Sequence, residues 1–78
     1  MPVTSTYHRT MTETVKIMVN GEAREVPART SLQALIEQVG LGKAACAAEV
    51  NRELVRRGER EGRILRDGDS VELVTLVG

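Results

Sequence analysis

An α+β fold, with a mixed sheet packed on one main helix, is predicted by three features of the sequence. Val15, Ile17 and Val19 alternate with Lys16, Met18 and Asn20, the period-two signature of a strand with one apolar face. Leu32, Leu35, Ile36 and Val39 fall at i, i+3, i+4 and i+7, one apolar stripe of a helix. A second strong strand, Val71-Glu72-Leu73-Val74-Thr75-Leu76-Val77, runs to Gly78, the last residue of the sequence. The 78 residues provide for one small domain. With one Tyr and no Phe or Trp, its core must be lean, built from Val, Leu, Ile, Ala and Met.

The elements follow in order. Residues 1–14 are rich in Thr and Ser and without periodicity, and read as a flexible N-terminal extension holding Tyr7 and His8. Met11 within it is a second candidate start. The domain then occupies residues 15–78. Asn20-Gly21 is a strong hairpin signal, because both residues accept positive φ. Glu22 to Ala28 is the returning strand, and Pro27 demotes its end to an edge. Thr30 is the expected N-cap, with Gln33 three residues on as in a capping box. Gly40 supplies the helix stop. Ala47 to Asn51 suits a short strand before a turn at Asn51-Arg52, and Leu54-Val55 resumes briefly. Residues 56–63 read as a charged loop, Ile64-Leu65 as a segment tucked under the sheet, and Asp67-Gly68-Asp69 as a tight turn that launches the last strand. A hairpin crossed by one helix, with the last strand inserted beside the first, is the β-grasp arrangement.

Composition excludes several classes. Formal charge is zero, so no net field draws the chain to nucleic acid or an anionic membrane. No apolar run approaches the roughly 20 residues of a membrane span, and the first residues have no apolar segment of a signal peptide. A single cysteine forms no internal disulfide framework, which makes the cytoplasm the expected location. There is no Walker-type phosphate loop, and the one histidine lies in the extension, away from any triad in the body. One Cys and one His do not make a zinc site, and Asp67 and Asp69 alone make a poor cation site. Cys46, flanked by alanines, reads as a small buried hydrophobe rather than a reactive thiol. Arg52, Arg56, Arg57, Arg60, Arg63 and Arg66 interleave with Glu53, Glu59 and Glu61 and have no aromatic platform, so they read as a solvated loop with local ion pairs.

The last strand carries the functional signal. Val71, Leu73, Thr75 and Val77 share one face, which must meet the helix, and Glu72, Val74 and Leu76 share the other. Val74 and Leu76 are then exposed, next to Met18 if the first and last strands are neighbours. An exposed apolar patch marks a partner site. Met18, Val74 and Leu76, with Val77 leading on to the tail, are the candidate partner-binding residues. A terminal glycine has no side chain to block entry into a narrow partner site, which points to Gly78 as the working group.

From Lys16 onward the chain resembles the ThiS family of sulfur carriers of thiamine biosynthesis, which have the ubiquitin-like β-grasp fold. The resemblance is carried by Lys16-Ile17-Met18-Val19-Asn20-Gly21-Glu22, Ser31-Leu32-Gln33-Ala34-Leu35-Ile36, Ala48-Glu49-Val50-Asn51-Arg52-Glu53-Leu54-Val55, and Leu65-Arg66-Asp67-Gly68-Asp69-Ser70-Val71-Glu72-Leu73-Val74. It implies that a separate ATP-dependent adenylyltransferase activates the terminal glycine as an acyl-adenylate. A persulfide sulfur donor then displaces AMP, and the thiocarboxylate so formed delivers sulfur to thiazole synthase. On this reading the chain is a carrier, not an enzyme, and binds no cofactor itself; ATP is used by the partner. The family ends in Gly-Gly, whereas here Gly78 alone follows Val77. Gly78 is thus either the acceptor or the residue preceding a missing reactive glycine. The small subunit of molybdopterin synthase uses similar chemistry, but typically has proline before its glycines, which Val74 to Val77 lack. A ubiquitin-like modifier and a β-grasp interaction module with no role for the tail are the further alternatives.

Overall fold

The computed structural model describes residues 13–76. The expectations for Tyr7, His8, Met11, Val77 and Gly78 lie outside them. Five strands, one α-helix and a 3-10 turn follow in order: β1 Thr14–Val19, β2 Glu22–Pro27, α1 Leu32–Gln38, β3 Cys46–Val50, β4 Glu53–Leu54, the 3-10 turn Arg57–Glu59 and β5 Ser70–Thr75. They form one sheet of order β2-β1-β5-β3-β4. Only β1 and β5 are parallel; the other three pairings are antiparallel. The last strand is therefore central and lies beside the first, the expected β-grasp topology. Pro27 ends β2, an edge strand, where a missing N–H breaks no ladder.

Local chemistry sets the turns. Asn20 and Gly21 have φ of 50° and 85°, as a two-residue turn with both positions left-handed requires. Asn51 and Arg52 make a second turn of this kind, φ 54° and 71°, between β3 and β4. Helix α1 ends in a Schellman motif: Gly40 takes φ 86°, its N–H bonds Glu37 O, and Leu41 N–H bonds Ile36 O. At Gly68, φ 89° turns the chain into β5. The carboxylates of that turn serve backbone donors: Asp67 Oδ1 accepts from Lys16 N–H at 2.8 Å and Asp69 Oδ2 from Arg66 N–H at 2.9 Å. Among the described residues no group of three His, Cys, Asp or Glu could hold a metal ion.

Several expectations are corrected. Ser31, not Thr30, caps α1, its Oγ accepting from Ala34 N–H at 3.0 Å. The Thr30 hydroxyl donates to Pro27 O at 2.6 Å, and the Gln33 amide donates to Glu37, so no capping box forms. The basic series is not uniformly solvated: Arg60 is buried, and Arg63 pairs with Asp69 at 3.7 Å. Of Ile64-Leu65, only Leu65 enters the core, while Ile64 bridges Ser31 at the surface. The first strand also begins one residue before its alternation, with Thr14 opposite Pro27.

One sheet face and the α1 stripe enclose the core. Ile17, Val26, Leu35, Ile36, Val50 and Val71 are almost wholly sealed from solvent. Cys46 lies in this core as a free thiol. Because the core formed by the described residues holds no aromatic ring, each aliphatic carries a large share of it. Leu35→Ala should therefore cost about 2–5 kcal/mol, measured by urea denaturation; a loss below 1 kcal/mol would contradict this packing.

Candidate functional site

β5 is hydrogen-bonded along both edges, and two asparagine side chains extend its ladders. On the β1 side, Asn20 leaves the strand at the turn, but its side chain continues the pairing. Its Oδ1 accepts from Leu73 N–H at 2.8 Å and its Nδ2 donates to Leu73 O at 3.2 Å. On the β3 side, Asn51 N–H donates to Ser70 O at 2.7 Å and Asn51 Oδ1 accepts from Ser70 N–H at 2.9 Å. Asn51 Nδ2 also reaches Asp69 Oδ1 at 3.0 Å. Each asparagine thus fulfils two demands, a left-handed turn position and an amide that mimics a backbone peptide. Sequence reasoning found Asn20 and Asn51 as turn residues and missed this second role. The Asn-Gly signal contains no information on a partner 53 residues away.

The pairing continues past the strand. Leu76 N–H donates to Ala45 O at 2.8 Å, so β5 remains attached to the sheet up to the last described residue. Along this strand the side chains divide as the alternation requires as far as Val74, but Thr75, expected on the inner face with Val71 and Leu73, is exposed at the strand's end. Val71 and Leu73 are buried; Val74 and Leu76 are 57% and 59% exposed. Ala47 lies directly across from Val74 and enlarges the apolar surface. It was missed because the alanine run gives no clear face until β3 is registered against β5.

Met18 also emerges on the outer face, 39% exposed. Its register partner, however, is Ser70, four residues before Val74. At about 3.3 Å per residue that places it roughly 13 Å from Val74 along the sheet, with Glu72 between. The structure brings Val74, Leu76 and Ala47 together and leaves Met18 apart. Glu49 and Glu72 are cross-strand partners at the border of the apolar patch. Two like charges side by side disfavour the pair, and a cation presented from outside would relieve it. The outer surface therefore offers an apolar contact with an acidic margin, leading directly to the tail.

This topology and this exit define the class, a ubiquitin-like β-grasp domain whose central strand carries its tail. The sequence profile of the ThiS family matches residues 17–78, and the chain belongs to that family. The fold matches the thiamine biosynthesis protein ThiS of Geobacter metallireducens with a TM-score of 0.72 at 24% identity, over 82% of this chain and 97% of that one. Two thiazole synthases are similar in sequence over 64 residues: that of Paramagnetospirillum magneticum at 31% identity and that of Magnetococcus marinus at 33%. The match covers 82% of this chain but 20% of each of them, so the chain spans about a fifth of the length of these curated relatives.

Two substitutions separate the faces. Val74→Glu on the outer face should change stability by less than about 0.5–1 kcal/mol. Leu73→Ala on the inner face should cost about 2–5 kcal/mol. Urea midpoints of the two variants measure the difference, and equal losses would show that the faces are misassigned.

Proposed function

We propose that this chain is a sulfur carrier for assembly of the thiamine thiazole, and that its working group is the carboxylate of the glycine tail to which Gly78 belongs. The observation that supports the reading best is the family membership, combined with a central strand that holds its ladder to Leu76 and then leads into that tail. A free carboxylate is a poor electrophile. On this reading a partner adenylyltransferase uses ATP to convert it to an acyl-adenylate, with pyrophosphate leaving. Sulfur from a persulfide donor then attacks the acyl carbon and AMP departs. The product is an acyl disulfide. A thiol attacks the donor's sulfur in its S–S bond, so that the donor and that thiol remain joined as a disulfide and a thiocarboxylate leaves. This nucleophile passes its sulfur to thiazole synthase.

The chain's own part is to bind and present. Glycine at the tail lets the backbone enter a narrow cleft and adopt conformations closed to other residues. Val74 and Leu76 give the partner an apolar anchor, and Glu49 and Glu72 favour a partner with a basic rim. The chain acts as a protein cosubstrate, not as a catalyst. Thiazole synthase is favoured as the acceptor because segments similar to this chain lie within proteins of that name. Among the described residues no helix is long and apolar enough to cross a membrane. A cytoplasmic setting, where ATP is available, accords with the proposed chemistry.

Intact mass spectrometry tests this directly. After incubation with adenylyltransferase, ATP and a persulfide donor, the chain should gain the mass difference of one oxygen replaced by sulfur, located in the C-terminal peptide. Residues appended after the tail should prevent the gain. Sulfur incorporated elsewhere, or loading of the extended chain, would defeat the proposal. Leu76→Glu should weaken adenylyltransferase binding at least tenfold in a titration while leaving the fold intact, and unchanged affinity would remove the outer face from the docking site.

A further inference from the structure

We propose that the hollow between α1, the α1–β3 connection and the 3-10 turn is a binding site for a compact oxyanion of the phosphate type. Its central feature is Arg60. This guanidinium is buried, with 7% of the residue exposed. Burying a charge is costly unless an opposite charge accompanies it. Yet among the described residues no carboxylate lies within ion-pair distance of Arg60, the one such pair being Arg63 with Asp69. Its bonds go to neutral acceptors: Nε to Val55 O at 3.3 Å, Nη2 to Cys46 O at 2.9 Å, and Nη1 weakly to Cys46 Sγ at 3.9 Å. A guanidinium has five N–H donors, so these three contacts leave donors on both terminal nitrogens available.

Arg60 borders a cavity of about 120 Å³ that Arg57, Gln33, Gly42 and Ala44 also line. Its lining holds two arginines and a glutamine beside the apolar Ile36 and Leu41, and no acidic residue. Glu59 and Glu61 are exposed, and the Glu37 carboxylate lies at the border of the hollow, where it accepts from Gln33 Nε2 at 3.2 Å. A planar guanidinium with free terminal N–H groups matches two oxygens of a phosphate. The volume admits one such group. The site is separate from the outer face of β5, and the proposal does not depend on the carrier reading.

Titrating the 15N-labelled full chain with inorganic phosphate, against chloride at matched ionic strength, tests it. Phosphate should produce saturable amide shifts centred on Gly42, Ala44, Arg57 and Arg60, and a concentration-dependent rise in Tm. Chloride should produce neither. Arg57 is exposed, so Arg57→Gln should fold as the parent does and bind phosphate about tenfold more weakly. Shifts that grow linearly without saturation, shifts equal to those from chloride, or undiminished affinity in Arg57→Gln would each overturn the assignment.

Discussion

The structure depends on one constraint: β5 must be hydrogen-bonded on both edges although its register overlap with β1 is only two residues long. β1 ends at Val19, and only Met18 and Val19 pair with β5 as strand residues. Without a further contact, the second half of β5 would have no support on that side. Asn20 supplies it, by turning the backbone into the hairpin and returning its amide to Leu73. Asn51 does the same at the opposite end and edge. Both asparagines occur at left-handed positions, where this side chain is tolerated better than most. Hairpin formation and grip on the central strand are thereby one event.

This arrangement suits a small domain with an aromatic-free core. Burial alone gives such a domain little surplus over chain entropy. Satisfied polar contacts at turns and caps therefore carry unusual weight. Asp67 and Asp69 bond the backbone around the turn that launches β5, and Ser31 caps the helix that covers it. The inner face of β5 is fixed by Val71 and Leu73, which leaves the outer face free to be apolar at Val74 and Leu76 without loss of register.

Much of this was legible in the sequence, for physical reasons. Period-two alternation located β1 and β5, and the leucine-isoleucine stripe located α1. Asn20-Gly21 and Gly40 marked turns that only a few residue types can make. The exposed face of β5 followed from which residues had to meet the helix. What escaped depended on contacts between distant segments. Thr30 was passed over as the cap because its hydroxyl is captured by Pro27, leaving Ser31 to take the position. The burial of Arg60 was invisible in a run of exposed arginines, since it arises from how the segment after β4 folds against Cys46 and Val55. Met18 was placed on the correct face but at the wrong distance from Val74, because the parallel register of β1 and β5 is set by the Asp67-Gly68-Asp69 turn and by Asn20, not by the alternation itself.

A carrier whose chemistry happens at a glycine beyond its last strand needs that strand to be firm, so that partners meet the tail at a fixed distance from their docking surface. The account therefore turns on whether β5 holds its ladder to its end. Amide hydrogen exchange on the free chain measures this residue by residue. Protection of the Leu73 and Leu76 amides comparable to that of the core amide of Val55 is the predicted result. Exchange of Leu76 at the rate of an unstructured peptide, with Val55 still protected, would contradict it: the tail would then begin within the sheet, and the outer face at Val74 and Leu76 would not be a fixed platform.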